Sequence, residues 1–195
     1  MSNPHRRRLK HYNDAGHAHL FTFSCWKRLQ LLSKDRSRLW FIRSLYKTLK
    51  QHDFGCWAYI IMPEHVHLVV IPHRHAYSTS DFLSSLKLGV TRAAVKYLKL
   101  HHPAFLKKLL DVQPSGRQCY RFWQPGGGFD LNLWTDARIW EKINYCHENP
   151  LRRKLVVLPE EWEWSSYRDY RATRTVGRVP IDWKTLPDDP LREYN

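Results

Sequence analysis

An apolar run at residues 60–71 contains two histidines, His65 and His67, and this pattern constrains the fold more than any other part of the chain. A β-strand points alternate side chains to opposite faces, so we expect both imidazoles on one face and Val66 in the opposite layer. Imidazoles within an apolar strand need partners that offset the cost of burial. Two neutral imidazoles on one face can hold a divalent metal, and a phosphate oxygen is another suitable partner. A histidine pair with purely structural partners is the simpler alternative.

The composition predicts one globular domain. The chain has 195 residues, of which 43% are hydrophobic and 14% aromatic, which is enough for a buried core. No run reaches the roughly 18 apolar residues that cross a membrane, so we expect a cytoplasmic protein with no membrane partner. The cysteines form no Cys-x-x-Cys pair, which argues against a zinc knuckle or a disulfide framework. They are Cys25, Cys56, Cys119 and Cys146.

The charge favours a polyanionic partner. Lys and Arg total 32 against 18 Asp and Glu, a formal net charge of +14, and nucleic acid is the leading candidate. Residues 1–18 form a basic N-terminal arm, for which a solubilising tail is an equally good interpretation. The candidate DNA-binding residues are Arg6, Arg7, Arg8, Lys87, Arg92, Lys96, Arg152 and Arg153.

Hydrophobic periodicity predicts the order of the elements. Alternating residues indicate a strand at 19–26, two apolar runs indicate strands at 54–62 and 65–71, and residues 119–123 are a fourth strand candidate. Helical spacing indicates helices at 34–52 and 81–101. The strands at 54–62 and 65–71 suit a tight hairpin of central strands. This order is that of a ferredoxin-like α+β layer. The glycines at 126–128 lack the Lys and Ser/Thr of a phosphate loop and predict a flexible hinge.

A later helix carries the second candidate group of residues. Thr135 can cap a helix that runs to about Glu148 and is stopped by Pro150. Tyr145 falls about 130° from the apolar stripe of this helix, on the side of Asn149, so the periodicity does not make it a core residue. An exposed tyrosine is the plain alternative. Together with the histidines, a phenol and an amide one turn apart suggest a metal-assisted tyrosine nuclease.

Four stretches of the chain carry a family resemblance. The first is Met-Pro-Glu-His-Val-His-Leu-Val at 62–69, and the second is Phe-Trp-Gln at 122–124. The third is Tyr-Cys-His-Glu-Asn-Pro-Leu-Arg at 145–152, and the last is Pro-Glu-Glu-Trp-Glu-Trp-Ser-Ser at 159–166. In this order they resemble the single-tyrosine HUH transposases, and most closely the branch of REP-associated tyrosine transposases. The resemblance covers a domain at residues 19–170 and leaves a C-terminal tail at 171–195.

The resemblance implies a fold and a chemistry. It implies an α+β fold, a ferredoxin-like antiparallel sheet with helices on one face, which is the HUH endonuclease core. It also implies that His65, His67 and Asn149 bind Mg²⁺ or Mn²⁺ and that Tyr145 is the nucleophile. The implied reaction nicks and rejoins single-stranded DNA at hairpins through a 5′-phosphotyrosine, by a monomer or homodimer. The triple glycine and the Leu-Arg-Arg sequence at 151–153 depart from the family pattern.

Three other functions are compatible with parts of the sequence. An HUH replication initiator or relaxase shares the chemistry, but the short chain and the position of Tyr145 after the histidine strand argue against a relaxase. A non-catalytic hairpin-DNA-binding protein would not need Tyr145, His65 and His67. A ferredoxin-like RNA-binding protein would carry aromatic RNA-binding motifs on its strands, and these are lacking.

Overall fold

The computed structural model describes residues 13–171 and 177–189, which form one sheet, one small hairpin and five α-helices within those ranges. The strands are β1 (Ala18–Ser24), β2 (Phe54–Ile61), β3 (His65–Pro72), β4 (Leu110–Val112), β5 (Gln118–Tyr120) and β6 (Phe129–Leu133). The helices are α1 (Asp35–His52), α2 (Thr79–His101), α3 (Pro103–Leu106), α4 (Asp136–Arg152) and α5 (Tyr167–Arg171). Residues 1–12, with Arg6, Arg7 and Arg8, lie outside the described residues, as does part of the predicted tail.

The four-stranded sheet has the order β2-β3-β1-β6, and every neighbouring pair is antiparallel. With α1 after β1 and α2 after β3, this is the βαββαβ arrangement expected from the sequence, and the α+β fold class is confirmed. β2 was expected to be central but is an edge strand of this sheet. Backbone bonds from Trp164, Ser166 and Asp182 cover its outer edge, which explains why its sequence is as apolar as that of a central strand.

The fourth strand of the sheet is not the predicted one. Residues 119–123 were expected to supply it, but β5 pairs only with β4 in a separate hairpin. β6 takes the place beside β1 instead. Its sequence Phe-Asp-Leu-Asn-Leu alternates apolar and polar residues, which is the usual signal of a strand with two different faces. The three glycines directly before β6 predicted a loop in this part of the chain, and no strand was predicted after it.

Helices pack on both faces of the sheet. α1 and α2 cover one face, as predicted, and bury a cluster that includes Phe21, Val66 and Leu68. α4 covers the other face, where Ile139 and Ile143 pack with a second cluster. The cluster residues contributed there by the sheet include Leu20, Trp57, Ile60, Val69 and Ile71. The alternation along β3 therefore divides its side chains between two cores, with the histidines on the side of α4.

α4 begins as predicted but does not end at Pro150. The Thr135 hydroxyl accepts a hydrogen bond from the Arg138 backbone N–H at 3.4 Å and caps the first turn. Pro150 lies inside the helix, which continues to Arg152, and both Asn149 and Pro150 are buried. Proline removes only one backbone donor here, and the burial of this turn offsets that loss. Asn149 is thereby held in helical geometry, one turn after Tyr145.

The glycine loop before β6 is fixed by close contacts. Gly128 has a φ of +85°, and a Cβ there would lie 2.4 Å from the Thr22 carbonyl oxygen. The Lys87 ammonium group, on α2, donates to the carbonyls of Gly126 and Gly127 at 2.8 and 3.1 Å. The predicted hinge is therefore a tethered loop in the structure. Within the described residues, no helix is long and apolar enough to span a membrane.

Gly128→Ala should destabilise the protein by about 2–4 kcal/mol, because it combines backbone strain with a clash against β1. Gly126→Ala is the matched control: its φ is +93°, but no atom lies within 4 Å of the added Cβ. It should cost only the strain, about 1–2 kcal/mol. The measurement is the free energy of unfolding in urea, and equal losses in the two variants would contradict the close contact with β1.

Candidate active site

The two histidines of β3 face α4 and converge on one point. His65 and His67 are buried, and their Nε2 atoms lie 3.1 Å apart. Their rings are almost perpendicular, with centroids 4.8 Å apart. The sequence prediction that both imidazoles share one face, with Val66 in the opposite core, agrees with this geometry.

The outer nitrogens of both rings are held by neighbouring side chains. His65 Nδ1 lies 3.0 Å from Glu64 Oε1, and because a carboxylate only accepts, the imidazole donates this bond. His67 Nδ1 lies 2.7 Å from the Thr22 hydroxyl oxygen on the adjacent strand β1. The Thr22 hydroxyl can accept from His67 Nδ1, and with Nδ1 protonated in both rings the two Nε2 lone pairs would point toward each other. An arrangement of this kind orients imidazoles for a cation.

Burial keeps both imidazoles neutral. It is the main cause that lowers the pKa of His65 below its usual value and the pKa of His67 to about 3. The neighbouring His65 ring lowers the pKa of His67 further. A neutral imidazole is the form that binds metals, so no proton competes for Nε2 near neutral pH.

Asn149 completes a set of three donor groups. Its side-chain nitrogen lies 3.1 Å from His67 Nε2, across the interface between α4 and β3. Rotation of the amide by 180° would present its oxygen at the same place. Within the described residues, no three or more His, Cys, Asp or Glu side chains converge on a metal position. The candidate metal site therefore consists of two imidazoles and one amide.

The spacing of these donors fits Mg²⁺ or Mn²⁺. An octahedral ion with bonds of about 2.1 Å places neighbouring ligand atoms about 3 Å apart. Both measured separations, between the two Nε2 atoms and between His67 and Asn149, are 3.1 Å. Three donors would leave further positions for water and a phosphate oxygen, as a catalytic site requires.

Tyr145 stands beside the histidines. Its ring is half-buried and lies 5.4 Å from the His67 ring, at an angle of 80°. The guanidinium of Arg152 lies 5.2 Å from the Tyr145 ring centre, and the Lys142 ammonium lies 5.9 Å from it. Tyr145 also lines a cleft of about 360 Å³ together with His67 and Thr22. It is therefore neither a core residue nor a free surface tyrosine.

The known proteins that this chain resembles in sequence and in structure include REP-associated tyrosine transposases. No protein-family model matches the chain. A Haemophilus influenzae protein, named as a candidate REP-associated tyrosine transposase, is 27% identical over 148 residues, which cover 75% of this chain and 76% of that protein. A solved structure of a REP-associated tyrosine transposase bound to a REP hairpin superposes with a TM-score of 0.65. That match is 20% identical and covers 94% of this chain and 91% of the solved chain.

The resemblance to REP-associated tyrosine transposases is confirmed. The sequence similarity covers three quarters of this chain, and the structural match extends over nearly all of it. At 20% identity the solved REP-associated tyrosine transposase supports the fold, whereas the roles of individual residues depend on the geometry described above.

Glu64 is part of the site, and the sequence analysis missed it. Its Oε1 accepts from Arg153 at 2.7 Å as well as from His65, and its side chain is buried. Burial raises the pKa of Glu64, but the hydrogen bond from Arg153 and the adjacent imidazole bring it below the usual value overall. Its position directly before His65 was the signal in the sequence. Arg153, expected to contact DNA, thus connects the end of α4 to the histidine strand.

His147 was also missed, although it lies between Tyr145 and Asn149 in sequence. It is buried, and its Nε2 shares a 2.8 Å hydrogen bond with the Ser166 hydroxyl. Ser166 in turn accepts from the Tyr59 backbone N–H on β2. These contacts fix α4 against the sheet and so fix the position of both residues that α4 brings to the site.

The remaining basic candidates lie in different places. Arg152 is on α4, where it pairs with Glu148 at 2.8 Å and lies over Tyr145. Arg92 and Lys96 are exposed on α2, on the other face of the sheet. Lys87, also on α2, is engaged with the glycine loop, and burial lowers its pKa to about 8. Contact with DNA stays a prediction for all of them.

Acid should destabilise the protein through His147. Burial lowers its pKa to about 3, whereas a histidine in the unfolded chain titrates near 6.5. Protons therefore bind the unfolded state preferentially, and the stability present above about pH 6.5 is lost as the pH falls toward 3. We expect His147→Gln to reduce the slope of unfolding free energy against pH by up to about 1.4 kcal/mol per pH unit.

Urea denaturation between about pH 6 and pH 4 measures this slope. The exposed His75 provides the control, since His75→Gln should leave the wild-type slope. An unchanged slope in His147→Gln would show that the buried imidazole does not determine acid sensitivity.

Proposed function

We propose that the protein is a metal-dependent, single-stranded DNA transposase that nicks and rejoins DNA at hairpin sequences through a 5′-phosphotyrosine. In this proposal His65, His67 and Asn149 hold Mg²⁺ or Mn²⁺, and Tyr145 is the nucleophile. One observation carries it: two buried imidazoles with converging Nε2 atoms lie next to the ring of a tyrosine that opens onto a cleft. A histidine pair with a purely structural role would not explain why Tyr145 lies beside it at a cleft.

The donor set suits the activation of a phosphodiester. When bound, the ion would supply Lewis-acid polarisation of a non-bridging phosphate oxygen. The Tyr145 hydroxyl oxygen forms a bond to phosphorus, and the bond from phosphorus to the 3′ oxygen breaks. The phenol gives up its proton, and the leaving 3′ oxygen takes one up. Because the phosphotyrosine ester keeps the energy of the broken bond, another 3′-hydroxyl can reverse the step and join strands without ATP.

The charges around the site suit DNA as the partner. Arg152 and Lys142 flank the Tyr145 ring, and the whole chain carries a formal charge of +14. Cations beside the nucleophile attract the phosphate and offset its repulsion of an approaching oxygen. The solved REP-associated tyrosine transposase with the same fold is bound to a REP hairpin, which supports a hairpin as the substrate.

The structure argues against the RNA-binding alternative. Sheets of that kind bind bases by stacking them on an open face. Here α1 and α2 cover one face and α4 covers the other, so neither offers a continuous platform. A non-catalytic hairpin-binding protein would share the basic surface but would have no use for the convergent histidines beside Tyr145.

Tyr145→Phe should abolish a covalent protein–DNA adduct while leaving DNA binding intact. The substitution removes only the hydroxyl, which the proposal makes the attacking group. The substrate is a pool of 3′-end-labelled single-stranded hairpins with randomised flanks, incubated with Mn²⁺. On a denaturing gel the wild-type protein should carry the label, because the DNA beyond the nick stays attached through its 5′-phosphate.

Tyr167→Phe is the matched control and should form the adduct as the wild-type protein does. The Tyr167 ring packs edge-to-face against His147 and not against the two proposed ligands His65 and His67. Persistence of the adduct in Tyr145→Phe would exclude Tyr145 as the nucleophile and make Tyr120, Tyr167 and Tyr170 the candidates.

Asn149→Ala should raise the Mn²⁺ concentration needed for half-maximal cleavage by about tenfold. An amide is a weaker ligand than imidazole, so His67→Ala should remove cleavage altogether. A metal titration of both variants makes the comparison. An unchanged Mn²⁺ requirement in Asn149→Ala would reduce Asn149 to a residue of the helix interface.

A further inference from the structure

The cleft beside Tyr145 has two chemically different ends. Of the lining residues, we call Thr22, His67 and Tyr145 the polar end, and Leu20, Leu131 and Phe129, which lie on β1 and β6, the apolar end. Lys142, whose side chain is mostly buried, lies along the same cleft. A cavity of about 360 Å³ is at the small end of those that hold a ligand of nucleotide size. The catalytic chemistry proposed above accounts only for the polar end.

Strand register explains how the apolar end is built. Thr22 pairs with His67 on β3 and with Phe129 on β6, so Phe129, Thr22 and His67 form one row across the sheet. Residues in such a row point to the same face, here the face of α4. Two inter-strand spacings separate Phe129 from His67 at the backbone, about 10 Å. Leu131 and Leu20 form the next row and supply the floor.

Phe129 is unusually exposed for its position. Its side chain is 49% exposed, whereas Leu133, on the same strand and the same face, is fully buried. The close approach of Gly128 to the Thr22 carbonyl fixes the start of β6 and therefore the place of the ring. An aromatic ring is thus held at the rim of a cleft that leads to the candidate nucleophile.

We propose that the apolar end of this cleft is a nucleobase subsite, in which the base next to the reacting phosphate stacks on Phe129. The inference rests on the proposed function, since it takes the phosphate to lie between His67 and Tyr145. The base of a single-stranded nucleotide lies within reach of its own phosphate and would enter the neighbouring apolar end. Lys142 would lie along the phosphate backbone that connects the two.

The chemistry of the lining predicts that this subsite accepts any base. Leu20, Leu131 and Phe129 offer no side-chain donor or acceptor that could distinguish one base edge from another. Every base has a face that can stack on an aromatic ring, and such stacking tolerates sequence changes. The subsite would therefore position the strand at the cleavage point and leave sequence selection to other contacts.

The test compares binding to a strand with bases and a strand without them. The probes are labelled oligomers of deoxythymidine and of abasic deoxyribose phosphate, each about 20 nucleotides long. All variants carry Tyr145→Phe, so that no cleavage occurs and binding alone is measured by fluorescence anisotropy. Phe129→Ala should weaken binding to the thymidine strand by about 5-fold to 100-fold. It should leave binding to the abasic strand unchanged.

Two further variants separate stacking from general damage. Phe129→Tyr keeps an aromatic ring and should bind the thymidine strand as strongly as the parent, the Tyr145→Phe protein, does. Tyr46→Ala removes a ring of similar exposure on α1, on the other side of the sheet, and should have no effect. Irradiation of the parent with a strand containing 5-iododeoxyuridine should give a cross-link that mass spectrometry assigns to Phe129.

Unchanged binding in Phe129→Ala would overturn the subsite, and so would an equal loss on the two strands. Because these measurements need no chemistry, they are independent of the adduct experiment. A wild-type protein that stacks thymidine on Phe129 but forms no adduct would contradict the proposed reaction and not the subsite. A protein that forms the adduct but binds thymidine equally well without the Phe129 ring would contradict the subsite and not the proposed reaction.

Discussion

The alternation of side chains along β3 is the constraint on which the rest of the site depends. Val66, Leu68 and Val70 are buried against α1 and α2, so a shift of register by one residue would move them to the face of α4 and place the two histidines in that core instead. The same alternation commits His65 and His67 to the face of α4. A hydrophobic core thus positions two polar side chains, and their Nδ1 partners on Glu64 and Thr22 set the direction of their Nε2 atoms.

The position of α4 is the second determinant, because it brings Tyr145 and Asn149 to the histidines. Contacts along the helix hold it in place: the cap at Thr135, the bond between His147 and Ser166, and the ion pair of Arg153 with Glu64. The last of these ties α4 to a residue that also orients His65. A change in the tilt of α4 would therefore alter the nucleophile, the amide and the imidazole orientation together.

Much of this could be predicted from local sequence, and the failures have physical causes. The periodicities of α1, α2 and β3 are strong. They predicted both helices and the placement of His65 and His67 on one face of their strand. β6 was missed because its five residues follow three glycines, and the extension of α4 beyond Pro150 depends on burial that local propensity does not contain. The contacts of Lys87 with the glycine loop and of Arg153 with Glu64 join residues 39 and 89 positions apart, so no sequence window could reveal them.

Pulsed electron paramagnetic resonance of bound Mn²⁺ tests the central claim most directly, because it detects the nitrogen nuclei coordinated to the ion. The account predicts coupling to two imidazole nitrogens in the wild-type protein and to one in His65→Ala. His75→Gln, which alters an exposed imidazole on the loop after β3, should leave both couplings in place. Mn²⁺ bound without imidazole coupling, or identical spectra for the wild-type protein and His65→Ala, would contradict the claim that the two histidines form a metal site.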